Sequence, residues 1–186
     1  VVSLMLYKIL NQKINHYSYR FVFLPETIGS ISFIYKNLSN LKKNVIAGFV
    51  NTCMGDNNNY SYLSSRNGDT YADRVAKYVL DKMIIKYKKY SFLDRGSDER
   101  QYCAPNVDLP IASIMRTKYG MYDEYHTSLD DLINVVTAKG LEGGFNALWK
   151  AIETCLIEKA TGSSSDSIFV FRRQTGERVQ VPMSVG

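Results

Sequence analysis

Val45-Ile46-Ala47-Gly48-Phe49-Val50-Asn51-Thr52-Cys53 is a nearly continuous apolar run that closes on polar residues and a thiol. A short run of this kind, rich in β-branched side chains, reads as a strand covered on both faces. Such a strand needs helices above and below it, and the flanking sequence offers them. Just upstream, Ile28, Ile31, Ile34 and Tyr35 share one side of a helix or helical turn expected over 27–37. Before that, residues 19–24 (Tyr-Arg-Phe-Val-Phe-Leu) form a β-rich run stopped by Pro25, which lacks the amide hydrogen a ladder needs.

Downstream, Gly55-Asp56-Asn57-Asn58-Asn59 is a loop by composition. Ala72, Val75, Ala76, Val79, Leu80 and Met83 form the buried stripe of a helix expected over 69–87. Residues 90–93 read as a brief strand, and Ile111–Met115 as another, launched by Pro110. Ser128 is placed to cap a helix reaching residue 135, with Asp130 and Asp131 in its first turn. Residues 140–159 close the regular part, with Leu141, Phe145, Leu148, Trp149, Ile152 and Leu156 as the inner face. The alternation predicts an α/β fold, a mostly parallel sheet sandwiched between helices.

After Ala160 the character changes. Residues 161–167 (Thr-Gly-Ser-Ser-Ser-Asp-Ser) are linker-like, and 168–172 and 178–181 flank Gln-Thr-Gly-Glu as a polar hairpin or loose tail. The expected organisation is therefore a domain over 1–159 and a linker with a tail over 160–186. The chain also opens in mid-pattern: Val2, Leu6, Ile9 and Leu10 recur at helical spacing with no capping residue before them. This predicts an N-terminally truncated domain.

The 186 residues give room for one domain with a real core, and 45% hydrophobic with 22% charged residues excludes disorder and fibrous repeats. No apolar stretch approaches the ~18 residues of a membrane span, so no membrane partner is expected. Cys53, Cys103 and Cys155 are odd in number and widely spaced, which argues against a disulfide scaffold and for a reducing, cytoplasmic setting. The net charge of +5 fits weak attraction to polyanions. Lys82, Lys86, Lys88 and Lys89 are accounted for as cations at the end of a helix, and no recognition motif accompanies them, so no nucleic-acid partner is expected.

In sheets of this type, sites form beyond the carboxyl ends of the strands. Glu26 lies just past the first strand, and Cys53, followed by Asp56, ends the second. Asp94, Ser97, Asp98 and Glu99 follow the third, and His126 the fourth. A histidine and several carboxylates on one edge suit a divalent metal, with a glutamate as general acid–base. Each also has a plainer role: Glu26 at a helix start, Asp98 paired with Arg95 or Arg100, His126 bonded to backbone, Cys53 packed in the core. With only two histidines, His16 and His126, an all-histidine zinc site is excluded.

The ordered segments Pro25-Glu-Thr-Ile-Gly-Ser30, Arg95-Gly-Ser-Asp-Glu-Arg-Gln-Tyr102, Leu109-Pro-Ile-Ala-Ser-Ile-Met115 and Tyr125-His-Thr-Ser-Leu-Asp-Asp131 resemble the zinc aminopeptidase family. The likeness is greatest to the aminopeptidase-like domain of bacterial polysaccharide-biosynthesis-associated proteins, and it runs from residue 1 to about 159. It implies the zinc-peptidase/phosphorylase-like fold. Glu26 matches the general base, His126 the last metal-binding histidine, and Cys53, or alternatively Asp56, the metal-binding aspartate. Ser97 and Asp98 match a supporting pair, and Asp98 or Glu99 can hold a substrate's free amine. Thr27 stands where the family has a second, metal-binding glutamate. The family's first histidine and bridging aspartate lie upstream of residue 1. The resemblance therefore implies zinc, one ion rather than two, and a small peptide or amide substrate, with little turnover from this chain alone. The competing expectation is a non-catalytic module in polysaccharide assembly, with Tyr60, Tyr62, Tyr119, Tyr122 and Tyr125 offering faces for sugars.

Overall fold

The computed structural model describes residues 1–12, 17–83, 86–158 and 167–174. The chain runs α1 (Val2–Leu10), β1 (Ser18–Pro25), α2 (Ile28–Asn44), β2 (Val45–Asn51), β3 (Ser61–Leu63) and α3 (Tyr71–Met83). It continues β4 (Lys88–Tyr90), α4 (Glu99–Tyr102), β5 (Ile111–Met115), α5 (Ala138–Glu158) and β6 (Ser167–Gln174). Among the described residues the six strands form one sheet in the order β1-β6-β2-β5-β3-β4. Every pairing is parallel except that of β3 with β5.

The quoted run is β2, buried along nearly its whole length between two apolar layers. Ala47 and Phe49, with Ala112 and Ile114 of β5, face the layer of α1, α3 and α5, where Leu6, Leu80, Leu148 and Ile152 are fully buried. Val45, Val50 and Ile111 face the opposite layer, with Ile34 and Leu41 of α2 and Tyr102 of α4. Burying a side chain of this size stabilises the fold by about 1.5–3 kcal/mol. The sheet is thus sandwiched between helices, as expected.

Four local readings are corrected. Residues 90–93 do not continue as a strand, because Ser91 and Asp94 form a reciprocal cap that turns Phe92–Asp94 into a 3₁₀ turn. Residues 128–135 are a series of turns: Asp131 Oδ1 accepts the amides of Ile133 and Asn134 at 2.8 Å, competing with helical bonding. The four lysines do not share a helix end, since Lys82 lies in α3 whereas Lys88 and Lys89 lie on the edge strand β4. Finally, Ser167–Gln174 is one parallel strand between β1 and β2 rather than the arm of a hairpin. His16, the linker residues 161–166 and the second arm at 178–181 lie outside the described residues.

Candidate functional site

The residues singled out above fall in two groups, one just past β1, which the segment after β4 joins through Ser97 and Asp98, and one past β2 and β5. The first is built on β1. Pro25 ends the strand, and the next residues form a γ-turn in which Ile28 N donates to Glu26 O at 2.8 Å. Thr27 sits at its centre with φ 65° and ψ −70°, a costly conformation for a β-branched residue. Such a turn persists only where neighbours over-determine it, and the 97–100 segment does so. Asp98 Oδ1 accepts the Thr27 amide at 2.8 Å, Arg100 Nη2 donates to the Thr27 hydroxyl at 2.9 Å, and Ser97 Oγ donates to Glu26 Oε1 at 3.1 Å. Glu26 is half-buried, whereas Ser97, Asp98 and Glu99 are buried.

Burial pushes the Asp98 carboxyl up; the Thr27 amide opposes this and the nearby Glu26 and Glu99 carboxylates add to it. Glu99 faces inward. Its Oε1 accepts the amides of Gly96 and Ser97, both at 2.9 Å, and the Tyr119 hydroxyl at 2.7 Å. Asp98 is therefore engaged with backbone rather than with Arg95 or Arg100.

The second group lines a cavity of about 470 Å³ beyond β2. Cys53, half-buried and at φ 48°, shares it with Asp56, Tyr122, Tyr125, His126 and Asp130; Glu26 is not among its lining residues. The Cys53 thiol lies 3.7 Å from the Tyr122 hydroxyl, which in turn donates to Asp130 Oδ2 at 3.0 Å. Burial, then Cys53 and Asp130, hold the Tyr122 phenol far above its usual range, so it stays protonated. His126 is exposed, and its ring stacks on Tyr125 with centroids 4.0 Å apart.

Asp56 is buried and its oxygens are committed. Thr117 donates through its amide at 2.8 Å and its hydroxyl at 2.5 Å, and Asn58 through its amide at 2.9 Å. Arg116 adds a bond from Nε to the Asp56 carbonyl at 2.8 Å and lies over the Tyr60 ring. Thr117 and Arg116 were not singled out by the sequence; their one signal is position, immediately past β5. The tyrosines divide: Tyr122 and Tyr125 line the cavity, Tyr62 is buried against Asp73, and Tyr60 carries Arg116. Among the described residues, no group of three or more His, Cys, Asp or Glu side chains gathers to hold a metal ion.

Over residues 1–158 the chain matches a family described as a domain of unknown function, DUF4910. The chain belongs to this family. This DUF4910 sequence is 40% identical over 147 residues to a Clostridium acetobutylicum protein provisionally named a polysaccharide biosynthesis protein with an aminopeptidase-like domain. The match takes in 79% of this chain and 33% of that protein, so the chain spans about a third of the relative's length. A solved structure from Clostridium acetobutylicum, provisionally named a peptidase, superposes with a TM-score of 0.78 at 37% identity, over 83% of this chain and 36% of that one. A zinc aminopeptidase of Bacillus subtilis shares the fold with a TM-score of 0.55 at 14% identity, over 76% of this chain and 35% of that one. The DUF4910 chain therefore has an aminopeptidase-like α/β fold. Among the described residues no helix is long and apolar enough to cross a membrane.

Proposed function

We propose that this chain carries the acid–base part of an aminopeptidase-type hydrolytic site acting on a small peptide or amide. The observation that supports it is the clamped position of Glu26 at a strand end, its carboxylate held by Ser97 and its γ-turn by Asp98 and Arg100. Catalytic groups on strained backbone beyond a strand end are common where geometry must be fixed in advance. In this reading Glu26 takes a proton from the water that attacks the amide carbonyl and returns it to the leaving amine. His126 and Cys53 line the cavity beyond β2, which in this reading receives the substrate.

The resemblance implies zinc, which would polarise the carbonyl and acidify the attacking water. The residues described here do not by themselves fit it. Asp56 is spent on Thr117 and Asn58, Asp130 accepts the Tyr122 hydroxyl, and among the described residues no three His, Cys, Asp or Glu side chains gather around the cavity. No step is therefore assigned to a metal on this chain.

The test is hydrolysis of aminoacyl amides and short peptides by the full-length protein. Glu26→Gln is expected to lower kcat by about 10²–10⁴, the usual worth of a positioned general base. An unchanged rate removes Glu26 from the mechanism. The second reading, a non-catalytic aminopeptidase-like module in polysaccharide assembly, is supported by Thr27 and Cys53 at ligand positions. Full-length protein that hydrolyses no amide, yet binds oligosaccharide in a way that Tyr125→Ala abolishes, would favour it.

A further inference from the structure

We propose that Glu99 and Tyr119 are positioning residues that join the two groups of this site, an inference resting on Glu26 as base and on His126 as the imidazole of the neighbouring group. Glu99 is fully buried, and three donors converge on its Oε1. Its Oε2 is buried without a hydrogen-bond partner among the described residues. A buried carboxylate half-satisfied in this way is a costly means of holding a turn, since backbone or an amide side chain would do the same. What the carboxylate adds is rigidity at one point, the Gly96-Ser97 peptide, and Ser97 is the residue whose hydroxyl holds Glu26.

Tyr119 locks that turn from the other side. Its hydroxyl donates to Glu99 and accepts the Gly96 amide at 2.7 Å. Burial and the Glu99 carboxylate keep the phenol protonated and therefore a donor. The ring lies so close that a Cβ on Gly96 would stand 2.8 Å from its Cε2, so Gly96 has room for nothing larger. The Tyr119 ring also meets Tyr125 at a centroid distance of 6.3 Å, and Tyr125 stacks on the His126 ring. Cys53 and Tyr125 both pack on the cluster of Leu63, Met115 and Tyr119. One phenol thus touches the turn that holds the base and the ring that holds the imidazole.

The pair predicts different effects for the two halves of the Tyr119 side chain. Tyr119→Phe removes only the hydroxyl. Exchange of the Gly96 and Ser97 amides is expected to quicken at least about tenfold, and kcat of the full-length protein to fall by a similar factor or more with KM unchanged. The His126 ring protons are expected to lie upfield because the ring stacks on Tyr125, to be assigned by their loss in His126→Ala, and to stay in place in Tyr119→Phe. Tyr119→Leu removes the abutment as well, and the upfield shift is expected to collapse. Glu99→Gln, which keeps the shape and one acceptor, is expected to retain more activity than Glu99→Ala. Tyr119→Phe with normal kcat, or Tyr119→Leu with an unmoved His126 resonance, overturns the inference. Should the wild-type protein hydrolyse no amide at all, the proposed function falls, while the exchange and resonance measurements still decide whether Tyr119 sets both groups.

Discussion

At the scale of single residues, Cys53, Cys103 and Cys155 are chemically unequal. Cys53 is half-buried on the cavity wall. Cys103 is buried, and burial pushes its thiol up to about 12, leaving almost no thiolate near neutrality. Cys155 is fully enclosed among the α5 core. Iodoacetamide on native protein is therefore expected to label one cysteine, and peptide mapping to place the label on Cys53; equal labelling of all three would refute this description of the core. Asp98 gives a second expectation. A carboxyl whose folded pKa lies above its unfolded value binds more protons when folded, so stability falls as pH rises from about 4 through the raised value. Asp98→Asn keeps an acceptor for the Thr27 amide and removes that titration. Its Tm relative to wild type is expected to rise with pH across this window and then level off; a constant difference would show that Asp98 does not titrate there. Glu26 and His126 could be picked out because strand-end position and local motif mark them in the sequence itself. The commitment of Asp56 could not, since its partner Thr117 is 61 residues away.

Among the elements, α5 is placed by contact with the loop after β2. Thr137 accepts the Gly140 amide at 2.9 Å to start the helix, and Thr137 N donates to Gly55 O at 2.9 Å. A Cβ at Gly140 would fall on the carbonyl oxygens of Gly55 and Asp56, backbone atoms of the cavity wall. Gly140→Ala gains about 1 kcal/mol of helix propensity. The clash with unyielding backbone costs about 3 kcal/mol, the upper end for overpacking, and outweighs that gain, so a net loss of about 2 kcal/mol is expected in urea unfolding. An equal or higher midpoint would mean that α5 does not rest on this loop. The element pattern was legible where burial imposes periodicity: β2 and β5, with apolar faces on both sides, show as continuous runs, and the α3 stripe shows at helical spacing. It failed where local side-chain bonds or distant pairing decide. Ser61–Leu63 is too short to show a period, Asp131 diverts its segment into turns, and the placement of Ser167–Gln174 depends on β1 and β2 far away in the chain.

For the whole molecule, the layered fold could be read from the alternation of apolar runs because each layer needs the next to bury its face. A complete site could not, since completeness depends on which side chains the topology gathers, and the described donors stop short of a metal cluster. That shortfall has a measurable consequence for stability. A site that bound zinc in the native state alone would stabilise this chain by about 2.7 kcal/mol at a free concentration 100-fold above its Kd. At this chain length that is a rise of roughly 5–10 °C in Tm. His126 and Cys53, with no third His, Cys, Asp or Glu side chain gathered with them among the described residues, do not reach micromolar affinity. Calorimetry of this chain with about 0.1 mM zinc is therefore expected to move Tm by less than about 2 °C, a free concentration that would saturate a micromolar site. Dialysed protein is expected to retain substoichiometric zinc by elemental analysis. A shift of several degrees that His126→Ala removes would show that this chain assembles a metal site from its own residues, and would return zinc to the mechanism proposed for Glu26.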